Sequence, residues 1–309
     1  MRVAFVGKGG SGKTTMSALF ARHVASQGAP VVAIDADINQ HLALVLGADE
    51  SPEPLGSRLT EIKEHLRGDN PRIPAAEAMV KTTPPGRGSR LLRFDDLAAS
   101  PYAVSTAEGV RLMATGPFTE DDLGVACYHS KVGAVELLLN HLVDGPGEYV
   151  VVDMTAGADS FASGLFTRFD LTFLVAEPTR QGVSVYRQYR EYAADYDVAL
   201  AVVGNKVHAP SDVDFLREHV GDDLLTWMEH SAAVRAMEQG RRFALDDLEP
   251  GNADALAVLL KHLDGQVKDW PRFGRQTAEF HLRNARAWAN DRTGLDLAEQ
   301  IDPHFVYGP

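Results

Sequence analysis

A doubly wound α/β domain is the fold class this sequence predicts: a mostly parallel sheet of about seven strands with helices on both faces. Three observations carry that expectation. The chain opens on a short apolar run that passes directly into a glycine-rich loop and then a helix. Further apolar, β-branched runs follow, separated by stretches with helical spacing. Two of those runs end in aspartate, on the side where an open parallel sheet binds ligands.

In order, Val3-Ala4-Phe5-Val6 reads as a buried strand, and Met16 to Ser26 as a helix with Met16, Leu19, Phe20 and Val24 apolar. Between them lies Gly7-Lys8-Gly9-Gly10-Ser11-Gly12-Lys13-Thr14-Thr15, a complete match to GxxxxGK[ST]. Glycines let backbone N–H groups turn inward around phosphates, and the helix N-terminus adds its own. Lys13 would place a charge on the β- and γ-phosphates and Thr14 a hydroxyl on Mg²⁺. Pro30 to Ile34 is the second strand and ends in Asp35-Ala36-Asp37. One reading of these aspartates is chemical; the other is that one of them caps the following helix.

Residues 51–109 are less regular, with a helix over Leu59 to Leu66 and a Pro/Gly/Arg segment, Pro84 to Arg90, expected to be a mobile loop. Val110 to Gly116 is the third strand. Next come Cys127-Tyr128-His129 and a helix from about Lys131 to Val143. In an extended segment Cys127 and His129 would point to the same side and supply half of a tetrahedral zinc-like site, completed across a symmetric dimer. The alternative is a buried small residue beside a surface histidine. Gly147 to Asp153 is the fourth strand, and Asp153-Met154-Thr155-Ala156-Gly157 makes DxxxG. There Asp153 would hold Mg²⁺ through water and the Gly157 N–H would sense the γ-phosphate. Leu171 to Pro178, Val198 to Gly204 and Leu224 to Met228 complete the strands, with helices at Gln181 to Asp195, Asp212 to His219 and Asn252 to Leu263.

The α/β domain is expected over residues 1–264 and a C-terminal helical extension over 265–309. The extension is locally basic, and its plain expectation is a helix docked on its own acidic domain, the alternative being a partner-binding arm. The 309 residues are 45% hydrophobic, enough for a large core. A net charge of −13 disfavours nucleic-acid binding. Neither a signal peptide nor a membrane-spanning run is expected, and the single cysteine fits a reducing cytoplasm.

The lysine at position 8, in Lys8-Gly9-Gly10-Ser11-Gly12-Lys13-Thr14, resembles the deviant phosphate loop of the MinD/ParA-like ATPases. With Asp35-Ala36-Asp37, Cys127-Tyr128-His129, Val150 to Gly157, Val175 to Arg180 and Val202 to Val207, the set is most similar to the CooC-type ATPases of carbon monoxide dehydrogenase maturation. That resemblance implies ATP and Mg²⁺ as ligands and an ATP-bridged homodimer in which Lys8 reaches the partner's phosphates. It implies that Asp37 orients water, that Asp35 supports Mg²⁺, and that Asn205 reads the adenine edge with the Lys206 stem over the base; a polar turn is the alternative for Asn205. It further implies zinc or nickel at the dimer interface through Cys127 and His129, although the family carries Cys-x-Cys there, and an unnamed client protein, a metalloenzyme. A ParA/MinD-like positioning ATPase and a small-molecule enzyme on the same fold are the other readings.

Overall fold

The computed structural model describes residues 1–117, 128–241 and 243–309. Its elements run β1 (Arg2–Gly7), α1 (Lys13–Ser26), β2 (Val31–Ala36), α2 (Leu42–Val45), α3 (Leu59–Arg67), β3 (Leu92–Arg93), α4 (Phe94–Ala98), β4 (Val104–Ser105) and β5 (Arg111–Ala114). They continue as α5 (Tyr128–His141), β6 (Leu142–Val143), β7 (Tyr149–Met154), β8 (Leu171–Ala176), α6 (Arg180–Ala194), β9 (Leu200–Val207), α7 (Pro210–Val220) and β10 (Leu224–Glu229). The last helices are α8 (Ala232–Glu238), α9 (Pro250–Asp264), α10 (Trp270–Asn284) and α11 (Asn290–Thr293).

All seven expected strands form, and they join one 8-stranded sheet in the order β10-β9-β8-β1-β7-β2-β5-β4. Every pairing is parallel except β4 with β5. The eighth strand and the separate β3–β6 pair are two residues long each, too short for hydrophobic alternation to mark them.

The period of two sorts the sheet residues into two cores. Ala4, Val6, Val32, Ile34, Val150 and Val152 face the layer that holds α3, α5, α6 and α7. Val3, Phe5, Val31, Ala33, Val151 and Phe173 face α1 and α9. On that second face the Phe5, Phe20 and Phe173 rings pack in tilted and edge-on arrangements at centroid distances of 5.5 Å (Phe5–Phe20), 5.4 Å (Phe5–Phe173) and 6.1 Å (Phe20–Phe173).

The C-terminal segment docks on the domain. Pro271 lies in the first turn of α10, where its missing N–H costs nothing, so the helix begins before it rather than breaking at it. Arg272 donates to the carbonyls of Asp197 and Phe169 at 2.6 and 2.8 Å, and Arg168 returns a bond to Phe273 O at 3.0 Å. A π-helical turn, Ala285–Ala289, joins α10 to α11.

The tail also overturns the expected mobility of Pro84 to Arg90. Pro84 and Pro85 are buried, Arg87 pairs with Asp302 at 2.8 Å, and Gln300 holds Ala78 O at 2.9 Å. Local composition promised a free loop, and a segment 215 residues later pins it.

Candidate functional site

The sheet's central strand β1 ends at Gly7, where the glycine loop begins. Gly12 takes a left-handed φ of 91° as the N-cap of α1, so Lys13 and Thr14 sit in the first helical turn. A Cβ on Gly12 would collide with the Asn205 amide, a second reason for glycine there. The Ser11 N–H turns back to Lys8 O at 3.1 Å, which curls the loop.

Three carboxylates converge on Lys13. Its ammonium meets Asp37 at 2.5 Å, both side chains nearly buried. Asp35 and Asp153 are register neighbours on the adjacent strands β2 and β7, and both are buried. Burial pushes the Asp153 carboxyl up to about 8, with Lys13 opposing and Asp35 reinforcing the shift. Burial likewise raises Asp35 to about 6, against backbone bonds from Leu42 and Asp37. Among the described residues neither Asp153 oxygen has a hydrogen-bond partner of ordinary geometry, and the nearby Thr14 hydroxyl eases its charge.

Asp35 organises the segment that follows it. Its two oxygens accept from Asp37 N at 3.1 Å and Leu42 N at 2.9 Å, so it caps α2 as well as facing the cluster. Asp37 accepts both the backbone and side-chain amide of Asn39 at 2.9 Å. Gln40, at a left-handed φ of 52°, reaches Thr115 Oγ1 at 3.1 Å. Asn39, Gln40 and Thr115 are members of the site that sequence reasoning missed, because amides and hydroxyls in loops carry no spacing signal.

Lys8 stands half-buried at the loop and makes no ion pair among the described residues. Gly9 and Gly10 are exposed, Ser11 is buried, and Thr15 lies partly exposed at the far end of the loop. Gly157 has a left-handed φ of 67° and opens the short helical turn after β7. Asn205 and Lys206 lie inside β9, not in a turn beyond it, and both grip the loop: Asn205 Nδ2 to Ser11 O at 2.8 Å, Lys206 Nζ to Gly10 O at 2.6 Å. Both also line a cavity of about 270 Å³, together with Gly12, Thr15, Met16 and Arg235.

His129 falls within α5, which starts at Tyr128, so the extended geometry expected to align it with Cys127 does not hold at His129. Cys127 lies outside the described residues. Among the described residues no group of three or more His, Cys, Asp or Glu side chains is arranged to hold a metal ion.

A buried lysine among acids, at the head of a loop-to-helix turn on the C-terminal edge of a parallel sheet, is the layout of a phosphate site. The family profile of the CobQ/CobB/MinD/ParA nucleotide binding domain matches residues 3–284. The chain belongs to this family. It is 30% identical over 268 residues, 85% of the chain and 96% of its counterpart, to the carbon monoxide dehydrogenase accessory protein CooC of Rhodospirillum rubrum. An uncharacterised ATP-binding protein of Methanocaldococcus jannaschii is 28% identical over 76% of the chain and 87% of its own length. Among solved structures, the MinC:MinD cell division complex of Aquifex aeolicus aligns at a TM-score of 0.57 with 17% identity, covering 87% of this chain and 97% of that one. MinD of Pyrococcus horikoshii, complexed with Mg-ADP, gives 0.56 and 16%, covering 85% and 96%. Both show the shared fold. As a member of this family the chain is a nucleotide-binding P-loop protein of the ATPase class. No helix among the described residues is long and apolar enough to cross a membrane.

Proposed function

We propose that the protein is a Mg²⁺-dependent ATPase of the cytoplasm that cycles through a nucleotide-bridged homodimer and assists metal delivery to, or maturation of, a client metalloenzyme. The observation that carries the ATPase reading is the buried cluster of Asp35, Asp37 and Asp153 around one lysine. One ammonium cannot balance three carboxylates, and among the described residues the Asp153 oxygens have no hydrogen-bond partner of ordinary geometry. A divalent cation fits that deficit, with Thr14, Asp35 and Asp153 to hold it directly or through water. When bound, Mg²⁺ would neutralise part of the phosphates' negative charge.

The chain's own groups divide the remaining work. The loop from Gly7 to Thr15 presents N–H groups to the phosphates. Lys13 leaves Asp37 for the β- and γ-phosphates, and Asp37, released from its ion pair, orients the attacking water. The Gly157 N–H meets the γ-phosphate. Asp37→Asn should therefore keep ATP binding and lower hydrolysis by at least about hundredfold, trapping the ATP state. Turnover at the wild-type rate, measured as phosphate release with Mg²⁺ and in its absence, would remove Asp37 from the mechanism.

Lys8 supports the dimer. A lysine at the loop that makes no ion pair among the described residues is available to the phosphates of a second protomer. Light scattering should show the mass doubling with a non-hydrolysable ATP analogue, and Lys8→Ala should stay monomeric with its fold intact. Unchanged dimerisation of Lys8→Ala would end the trans-lysine role.

The client reading rests on the similarity to CooC and on Cys127 and His129. Metal content and mass should be measured with and without ATP, beside Cys127→Ala. One zinc or nickel per ATP-bound dimer, lost in the variant, is the expected result. A metal-free dimer would demote both residues to structure and favour a ParA/MinD-like positioning factor. A metal-free monomer with ATP would favour a small-molecule enzyme.

A further inference from the structure

We propose that α10 positions the segment that meets the γ-phosphate: by holding Gly157 to Arg168 in place, its Phe280 and Thr277 set the preference of the site for ATP over ADP. The inference rests on the ATP reading above and adds the C-terminal helix to it.

The segment between β7 and β8 starts at the nucleotide site and ends against α10. It contains two short helical turns, Gly157–Phe161 and Gly164–Thr167. Each turn is tied to itself. Ser160 Oγ donates to Gly157 O at 2.9 Å, and Thr167 Oγ1 to Gly164 O at 2.7 Å. Aromatic rings then link the turns to the tail. Phe161 lies 4.2 Å from Tyr189 of α6 and 4.9 Å from Phe166, centroid to centroid. Phe166 in turn meets Phe280 of α10 at 5.6 Å.

Two further contacts fix the far end. Arg168 is wholly buried and donates to Thr277 Oγ1 and, at 3.0 Å, to Phe273 O. Gly164 shows how close the approach is. A Cβ there would come within 2.5 Å of Glu136 Oε1 on α5 and 3.1 Å of the Phe280 ring. The segment is thus wedged between α5, α6 and α10, and close packing passes a shift on instead of absorbing it. Among the described residues Tyr189 Oη and Glu136 Oε2, both buried against the segment, have no hydrogen-bond partner of ordinary geometry. Unpaired buried groups raise the free energy of this arrangement, which brings a second one within reach of a phosphate contact.

ADP has no γ-phosphate for the Gly157 N–H to meet. Loosening α10 therefore weakens the triphosphate and spares the diphosphate. Linkage makes the effect reciprocal: the triphosphate must steady α10 by the factor that α10 contributes to its binding.

Calorimetry on the full-length protein with Mg²⁺ should compare ADP with a non-hydrolysable ATP analogue. Phe280→Ala should weaken the analogue about tenfold and leave ADP within about twofold. Phe280→Leu, which refills most of the space, should bring the ratio back to within about threefold of wild type. Trp288→Ala loosens the tail elsewhere, where the ring packs against Val80 and Leu297, and should leave the ratio unchanged. A ratio unmoved in Phe280→Ala, whether both affinities hold or both fall together, would overturn the proposal. An equal drop in Trp288→Ala would overturn it too, because any loosening of the tail would then suffice. Should Phe280→Ala fail to fold, hydrogen exchange on the wild type reads the same coupling. The analogue, compared with ADP, should slow exchange in both 157–168 and 273–284, and protection confined to the first stretch would sink the role of α10 while ATP binding stands. A wild type that binds neither nucleotide would overturn the ATP reading as well.

Discussion

Asp153→Asn is expected to lower ATP hydrolysis by at least about hundredfold and, at the same time, to raise the melting temperature of the nucleotide-free protein at pH 8. Both effects come from one carboxyl group. Asp153 is fully buried near the end of β7, and among the described residues its oxygens have no hydrogen-bond partner of ordinary geometry. Burial lifts its pKa from 3.8 to about 8, so ionising it in the folded chain costs free energy. The sign follows from proton counts. Below about pH 4 folded and unfolded forms both hold the proton, and Asp153 contributes nothing. Between about 4 and about 8 the unfolded chain releases it and the folded chain keeps it, so stability falls as pH rises. Asp35, raised to about 6, acts in the same direction over a narrower range. An asparagine has no proton to lose, and it cannot supply the charge a divalent cation needs. Melting curves of both proteins at pH 5.5 and pH 8, with and without Mg²⁺ and ATP, check this. The gain should appear at pH 8 and shrink at pH 5.5, and Mg²⁺ with ATP should stabilise only the wild type. A variant no more stable than wild type at pH 8 would show that burial does not burden this carboxyl.

Asp144→Ala should destabilise the protein by about 3–5 kcal/mol, the range for breaking a buried ion pair by removing one partner. Asp144 lies at the end of the sheet opposite the glycine loop, with its side chain fully buried. It meets Arg2 at 2.7 Å, the Met1 ammonium at 2.9 Å and Lys268 at 2.7 Å. Burial alone would raise its pKa, but Arg2, Lys268 and the N-terminal ammonium overcome that and hold it far below the ordinary carboxylate value. Alanine would leave three cations facing one another, with Asp170 the remaining acid, paired to Lys268 at 2.7 Å. The network is also what ties the tail to the domain. Arg2 reaches Tyr307 at 3.2 Å and lies over the rings of Trp270 and Phe273. Urea unfolding should show the loss, while ATP binding at low temperature, measured below the new midpoint, should persist because the nucleotide site is at the other end of the sheet. A loss under about 1 kcal/mol would mean that water or a relaxed backbone replaces the carboxylate.

Strong local patterns made most of the fold legible. The strands β1, β2, β7 and β8 are buried on both faces, so they read as near-continuous apolar runs. The loop from Gly7 to Thr15 was legible because phosphate binding demands glycine, lysine and hydroxyl at fixed offsets. Asp35 and Asp153 were legible because they end strands. That Tyr128 and His129 are helical was not legible, since no apolar period marks them as part of the helix that follows.

What the sequence alone determined is therefore the chemistry of the phosphate loop and the parallel order of sheet and helices, because both rest on contacts between near neighbours in the chain or on a simple period. Tertiary structure decided which acid faces which base. Lys13 meets Asp37 across 24 residues, Asn205 meets Ser11 across 194, and Arg2 meets Tyr307 across 305. Only packing brings such groups together, and only burial turns their charges into pKa shifts and stability. The tail from Val267 onward shows the difference most directly: its composition marked a basic helix, and its place in the molecule was set by two buried aspartates, Asp144 and Asp170, that no local pattern singles out.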